Sequence, residues 1–163
     1  DMLVKMGIEE IDILVGTHPH EDHIGGMDRV IERFETGKIF MPNVTHTTAT
    51  FRSVMQSIKN SGLKISDSAA GSSHNLGSAT WEIIAPNSGE YEDLNNYSIV
   101  IRLVYEGTAF LFTGDCEIES EAEMLDAGWG LDADVLKISH HGSSSSNSKE
   151  FLEAVSSYLR RRR

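Results

Sequence analysis

The chain has 163 residues, 39% of them hydrophobic, a formal charge of -11 and one cysteine, Cys116. This length and apolar content fit one domain with a real core, and a lone cysteine excludes an internal disulfide. The acidic balance argues against a general nucleic-acid-binding surface, which would neutralise phosphates with basic groups, but not against cutting a phosphodiester, because bound metal ions supply positive charge locally. No run approaches the roughly 18 to 20 consecutive apolar residues of a membrane span, and no signal-peptide pattern opens the chain. A soluble chain is therefore expected, with secreted and cytoplasmic locations both open. The closing run Arg160 to Arg163 reads as an appended basic tail, leaving a domain over 1–159.

Taken in order, the elements alternate. Residues 11–16 form a short apolar run that suits a buried strand, and 24–34 carries Met27, Val30, Ile31 and Phe34 at helical spacing. Residues 39–41 read as a short strand stopped by Pro42, and 50–61 as a helix with Phe51, Val54, Met55 and Ile58 on one face, ended by Gly62. A strand is predicted at 79–85, and two more at 99–105 and 108–113, joined by a tight Glu106-Gly107 hairpin. A helix over 117–127 has acidic residues in its first turn. A strand at 135–139 and a helix at 148–158 complete the pattern, which suggests sheets covered by helices.

The chemistry concentrates in His18-Pro19-His20-Glu21-Asp22-His23, three imidazoles and a carboxylate in six residues between a predicted strand and helix. Such a loop can turn four ligands to one point. Two metals about 3.5 to 4 Å apart would be bound, His18 and His20 facing one, Asp22 and His23 the other. Imidazole and carboxylate without thiolate suit zinc first, with manganese or iron as alternatives. Glu21 is expected to be solvated or to support the ligands from outside.

Asp115 ends the strand at 108–113 and reads either as an anion shared by both metals or as a cap of the following helix. His140 and His141 follow the strand at 135–139; either could ligate a metal or protonate a leaving group, with His140 preferred for that role and His141 assigned to substrate contact. Asn95, Asn96 and Ser98 precede the hairpin and could bind substrate or water, or simply make a turn. His46 and His74 are read as residues of polar loops outside the ligand set, and Cys116 as a small buried thiol.

Residues 17–26 resemble the His-x-His-x-Asp-His signature of the metallo-β-lactamase superfamily, and Phe112-Thr113-Gly114-Asp115 resembles its bridging-aspartate motif. The segments 95–100 and 134–143, with the hairpin between them, resemble the hydrolase domain of ComEC-type competence proteins and their free-standing relatives. The resemblance implies an α/β fold, an αββα sandwich with a dinuclear site at one edge. It also implies hydrolysis by a metal-activated hydroxide, on a phosphodiester or nucleic acid. It further implies strands ahead of residue 1 and a late histidine ligand beyond the His-His-Gly-Ser segment, so the chain is expected to lack its N-terminal strands, its C-terminal end and one ligand. An asparagine-serine pattern stands where many relatives place a histidine before the hairpin.

The resulting expectation is a metallo-hydrolase holding two divalent ions on His18, His20, Asp22, His23 and Asp115, with Asp22, Asp115 and His140 as its catalytic groups. A lactonase or thioesterase on the same site, and a catalytically incomplete fragment with a structural or interaction role, are the rival readings. Missing strands would leave an unpaired sheet edge, at 11–16 or 79–85, through which a homodimer could form.

Overall fold

The computed structural model describes residues 2–156. The 148–158 helix thus extends in part, and the basic run 160–163 wholly, outside the described residues. The chain divides into two compact units, Asp1–Asp67 and Ser68–Arg163.

The first unit opens with a short helix, α1 (Met2–Lys5), then β1 (Glu10–Val15), α2 (Glu21–Ile24), α3 (Met27–Arg33), β2 (Glu35–Phe40), α4 (Ala49–Asn60) and β3 (Ile65–Ser66). Its three strands are parallel in the order β1-β2-β3, and each crossover is helical, as parallel pairing requires. The helix expected over 24–34 is divided. Its apolar spacing is uninterrupted, but Gly25 closes α2 where a Cβ would collide with the Glu21 carbonyl oxygen, so the chain turns before α3 begins. Met27 and Ile31 then pack with Ile24, Ile39, Val54 and Ile58 into one core. Helix α4 starts where Thr48 accepts the Phe51 amide at 3.3 Å, an N-cap that orients Phe51, Val54 and Ile58 inward. Strand β2 begins four residues earlier than the apolar run suggests, because pairing with β1 from Glu35↔Glu10 onward recruits polar residues.

The second unit holds a five-stranded sheet, β4 (Ser73–Leu76), β5 (Ala79–Ala85), β6 (Val100–Tyr105), β7 (Thr108–Phe112) and β8 (Val135–Lys137), in that spatial order. The first four pair antiparallel; β7 and β8 are parallel. Glu106 and Gly107 both have positive φ, 49° and 80°, the conformation a two-residue hairpin turn demands. Helices α5 (Ile118–Asp126) and α6 (Lys149–Val155) pack on one another, and Met124 and Phe151 join Ile84, Val100 and Leu111 in a core. Phe151 is fully buried, a burial that stabilises by about 1.5 to 3 kcal/mol.

Strand β5 is paired on both sides, by β4 and β6, so the open edge expected at 79–85 is not there. The polar residues of β4 are poor strand formers and concealed it in the sequence. Strand β1, the other expected edge, is the outermost strand of its sheet. Because β7 and β8 run parallel, the loops that follow them, carrying Asp115 and His141, leave the same edge of the sheet.

Candidate metal centre

In the first unit β1 delivers the loop that carries His18 and His20, while Asp22 and His23 lie within the first turn of α2. The His18 ring stands 4.8 Å from that of His20 and 4.1 Å from that of His23, centroid to centroid, and His18 is wholly buried. Thr17 explains part of this order. Its hydroxyl lies 3.1 Å from His18 Nδ1 and 3.4 Å from His23 Nδ1, so one small side chain pins the same nitrogen of two imidazoles. A partner at Nδ1 fixes the orientation of a histidine ring. Asp22 is largely exposed, its Oδ2 3.5 Å from His23 Nε2. Three imidazoles packed ring against ring, one of them shut off from water, with a carboxylate beside them are by their chemistry a donor set that fits zinc or another divalent ion. Glu21 is exposed at the start of α2, and His46, on the loop before α4, brings its ring to 6.0 Å from that of His20.

In the second unit Asp115 follows β7 and is 2% exposed. Its carboxylate meets Lys137 Nζ at 3.6 Å through Oδ1 and His141 Nε2 at 3.3 Å through Oδ2. Lys137 also donates to the Gly114 carbonyl at 2.6 Å, which fixes its charge beside a buried anion that would otherwise be costly. Asp115 does not cap α5: the N-cap is Glu117, whose side chain makes no capping bond.

His140 and His141 point to different partners. His141 faces Asp115, whereas His140 Nδ1 lies 3.0 Å from Glu117 Oε1, which also accepts the Ser145 hydroxyl at 2.8 Å. A carboxylate only accepts, so the His140 proton is on Nδ1 and its Nε2 is available. Both histidines have left-handed backbone, φ 44° and 52°, a conformation non-glycine residues rarely adopt in succession. The surrounding loop holds them there. Asn147 accepts the Ser139 amide and donates to its carbonyl, and the buried Glu121 carboxylate accepts the amides of Asn147 and Ser148.

Asn95 and Asn96 lie in a short 3-10 turn, Leu94–Tyr97, and both are buried. Asn96 Oδ1 accepts the Glu117 amide at 2.9 Å, and Ser98 Oγ accepts the Asp115 amide at 3.0 Å. These side chains therefore grip the main chain of the Asp115 loop. Cys116 is buried against Ser139, and desolvation pushes its thiol up to about 12. His74 is not in a polar loop as expected: it lies on β4 across from Trp81, the rings 4.4 Å apart. Glu117 and Glu121 carry no motif of their own, and only their neighbours in space reveal them.

The sheet arrangement and the histidine-aspartate sets define a class. The chain belongs to the Metallo-beta-lactamase superfamily, whose family model matches residues 1–157 and so covers both units. It is 28% identical over 153 residues to ComE operon protein 3 of Bacillus subtilis, covering 94% of this chain and 20% of that protein. It is 28% identical over 151 residues to Competence protein ComA of Neisseria gonorrhoeae, with 92% and 19% covered. Recombination protein 2 of Haemophilus influenzae is 25% identical over 146 residues, with 89% and 16% covered. The chain thus spans about a fifth of the length of these relatives. Among solved structures, CmlA, a diiron beta-hydroxylase from Streptomyces venezuelae, is similar with a TM-score of 0.55 and 21% identity, over 80% of this chain and 25% of that one; this likeness concerns the fold alone. No helix among the described residues is long and apolar enough to cross a membrane.

Proposed function

We propose that the chain is a metal-dependent hydrolase acting on a phosphodiester, and that His18, His20, Asp22 and His23 act together with Asp115 and His141 on two divalent ions, zinc or manganese. The observation that supports this reading is the packing of three imidazoles ring against ring in a superfamily member, with the Thr17 hydroxyl at Nδ1 of two of them. When bound, the ions would lower the pKa of a water toward about 7 and offset the charge that develops on the attacked group. The protein's own residues do the rest. Lys137 and Ser98 keep the Asp115 carboxylate in place, one through its charge and the other through the backbone. Glu117 keeps the His140 proton on Nδ1, so that Nε2 is the atom that accepts a proton from the attacking water and then gives it to the leaving oxygen. Asn96 and Ser98 serve by holding the main chain of the loop that carries Asp115.

The phosphodiester assignment draws on the relatives, whose names connect them with competence and recombination; nucleic acid is accordingly the first natural substrate to try. The test compares bis-p-nitrophenyl phosphate with nitrocefin, a lactone and a thioester, using metal-loaded protein. The phosphodiester is expected to turn over fastest, and preference for any of the others would remove the assignment. We also propose that the outer edge of β1 pairs with a second copy of the chain, since exposed strand edges recruit partners. Light scattering should then find a dimer at micromolar concentration; a monomer would contradict it.

A further inference from the structure

One histidine in the first unit stands outside every role assigned so far. His46 lies on the loop between β2 and α4, half-buried, its ring 6.0 Å from that of His20 and inclined at 68°. Its Nδ1 is 3.2 Å from the Thr48 hydroxyl, and the same oxygen accepts the Phe51 amide as the N-cap of α4. The loop is fastened on both sides: the Val44 amide donates to the Pro42 carbonyl at 2.8 Å, and the Arg52 guanidinium donates to the Thr47 carbonyl. His46 is thus anchored to a helix end rather than carried on a loose loop, and among the described residues its Nε2 has no hydrogen-bond partner.

We infer that His46 is a substrate-binding residue, whose Nε2–H donates to an anionic oxygen of a phosphoryl group held beside His20. The inference rests on the phosphodiester reading above. The hydroxyl at Nδ1 supports it. His46 has at that position a hydroxyl with a proton of its own. Thr48 already accepts from Phe51, and donating its proton to His46 Nδ1 completes its hydrogen bonding. With Thr48 as the donor in that bond, the imidazole proton resides on Nε2, which makes that atom a donor to an anionic oxygen. Neighbouring metal ions leave some oxygens of a phosphodiester uncovered, and a neutral donor can hold one without adding a competing cation.

The test uses zinc-loaded protein with inorganic phosphate as the probe, titrated by calorimetry into the wild type, His46→Ala and His46→Gln. Glutamine places an amide N–H near the position of Nε2, so it separates loss of the donor from loss of the fold. Zinc content is expected to be unchanged in both variants. The alanine variant should bind phosphate about ten-fold or more weakly, the change that follows loss of a hydrogen bond to a charged oxygen, and glutamine should recover most of it. In the metal-free wild type, long-range proton-nitrogen spectra should show His46 with its proton on Nε2. Loss of about one zinc equivalent in His46→Ala would make the residue a ligand and overturn the inference. So would equal phosphate affinity in all three proteins, or no phosphate binding by the wild type. Phosphate binding that depends on His46, without phosphodiester turnover, would instead sink the hydrolase reading and leave His46 as an anion-binding residue.

Discussion

His141 Nε2 lies 3.3 Å from Asp115 Oδ2, while its neighbour His140 turns away to Glu117. Two adjacent histidines that look equivalent in sequence therefore have separate tasks, and their variants should differ. His141→Ala is expected to lower metal content more than His140→Ala. Asp115→Asn should reduce turnover by about a hundred-fold or more, beyond the 10- to 100-fold typical of groups that merely support a ligand, and more completely than His140→Ala. Elemental analysis and steady-state rates of the three variants check this; equal metal content in both histidine variants would contradict it.

Thr17 has no ligand role, yet its hydroxyl contacts Nδ1 of both His18 and His23. Thr17→Val keeps the shape and removes the hydrogen bonds. Metal affinity should fall by about 10- to 100-fold, the usual effect of removing a partner that orients a histidine ligand, with thermal stability of the metal-free protein little changed. Competition with a fluorescent chelator measures it.

The strand at 79–85 is legible to the residue because Trp81, Ile83 and Ile84 form an apolar run bounded by turn residues, and the ligand segment 17–26 because four donor side chains rarely crowd into six positions by chance. Other features depend on contacts that sequence spacing does not encode. His140 and His141 are interchangeable on paper; their left-handed backbone, imposed by Asn147 and Ser139, is what aims one ring at Asp115 and the other at Glu117. The division between α2 and α3 was hidden because apolar periodicity continues across Gly25 and Gly26, and the collision that demands a glycine appears only with the helix built. The His-His-Gly-Ser segment brings His141 to the Asp115 carboxylate.

Glu121 is fully buried and accepts the amides of both Asn147 and Ser148, which tie the loop after β8 to α5. Replacing it leaves two backbone donors in a dry environment. Glu121→Ala should destabilise the protein by about 2 to 3 kcal/mol, and Glu121→Gln by less, since one acceptor survives. Urea denaturation gives the values, and a loss within error of zero would show that the loop is held by other contacts.

Burial raises the Cys116 thiol to about 12, so it stays protonated in the folded chain at ordinary pH. Iodoacetamide, which attacks the thiolate, should leave the native protein unmodified at pH 8 and label it once unfolded. A folded-state value above the unfolded one means the thiol's contribution is complete below the unfolded pKa of about 8.5. It is lost as pH rises toward 12. Stability should therefore decline on the alkaline side, and Cys116→Ser, measured beside the wild type, should lessen the part that belongs to the thiol.

Metal stoichiometry bears most directly on the central claim. Protein purified without chelator should carry about two equivalents of zinc or manganese by elemental analysis, as a dinuclear hydrolase centre requires. His18→Ala and Asp22→Ala should each lower that content sharply. No metal above background in the wild type, after incubation with either ion and removal of the excess, would contradict the account.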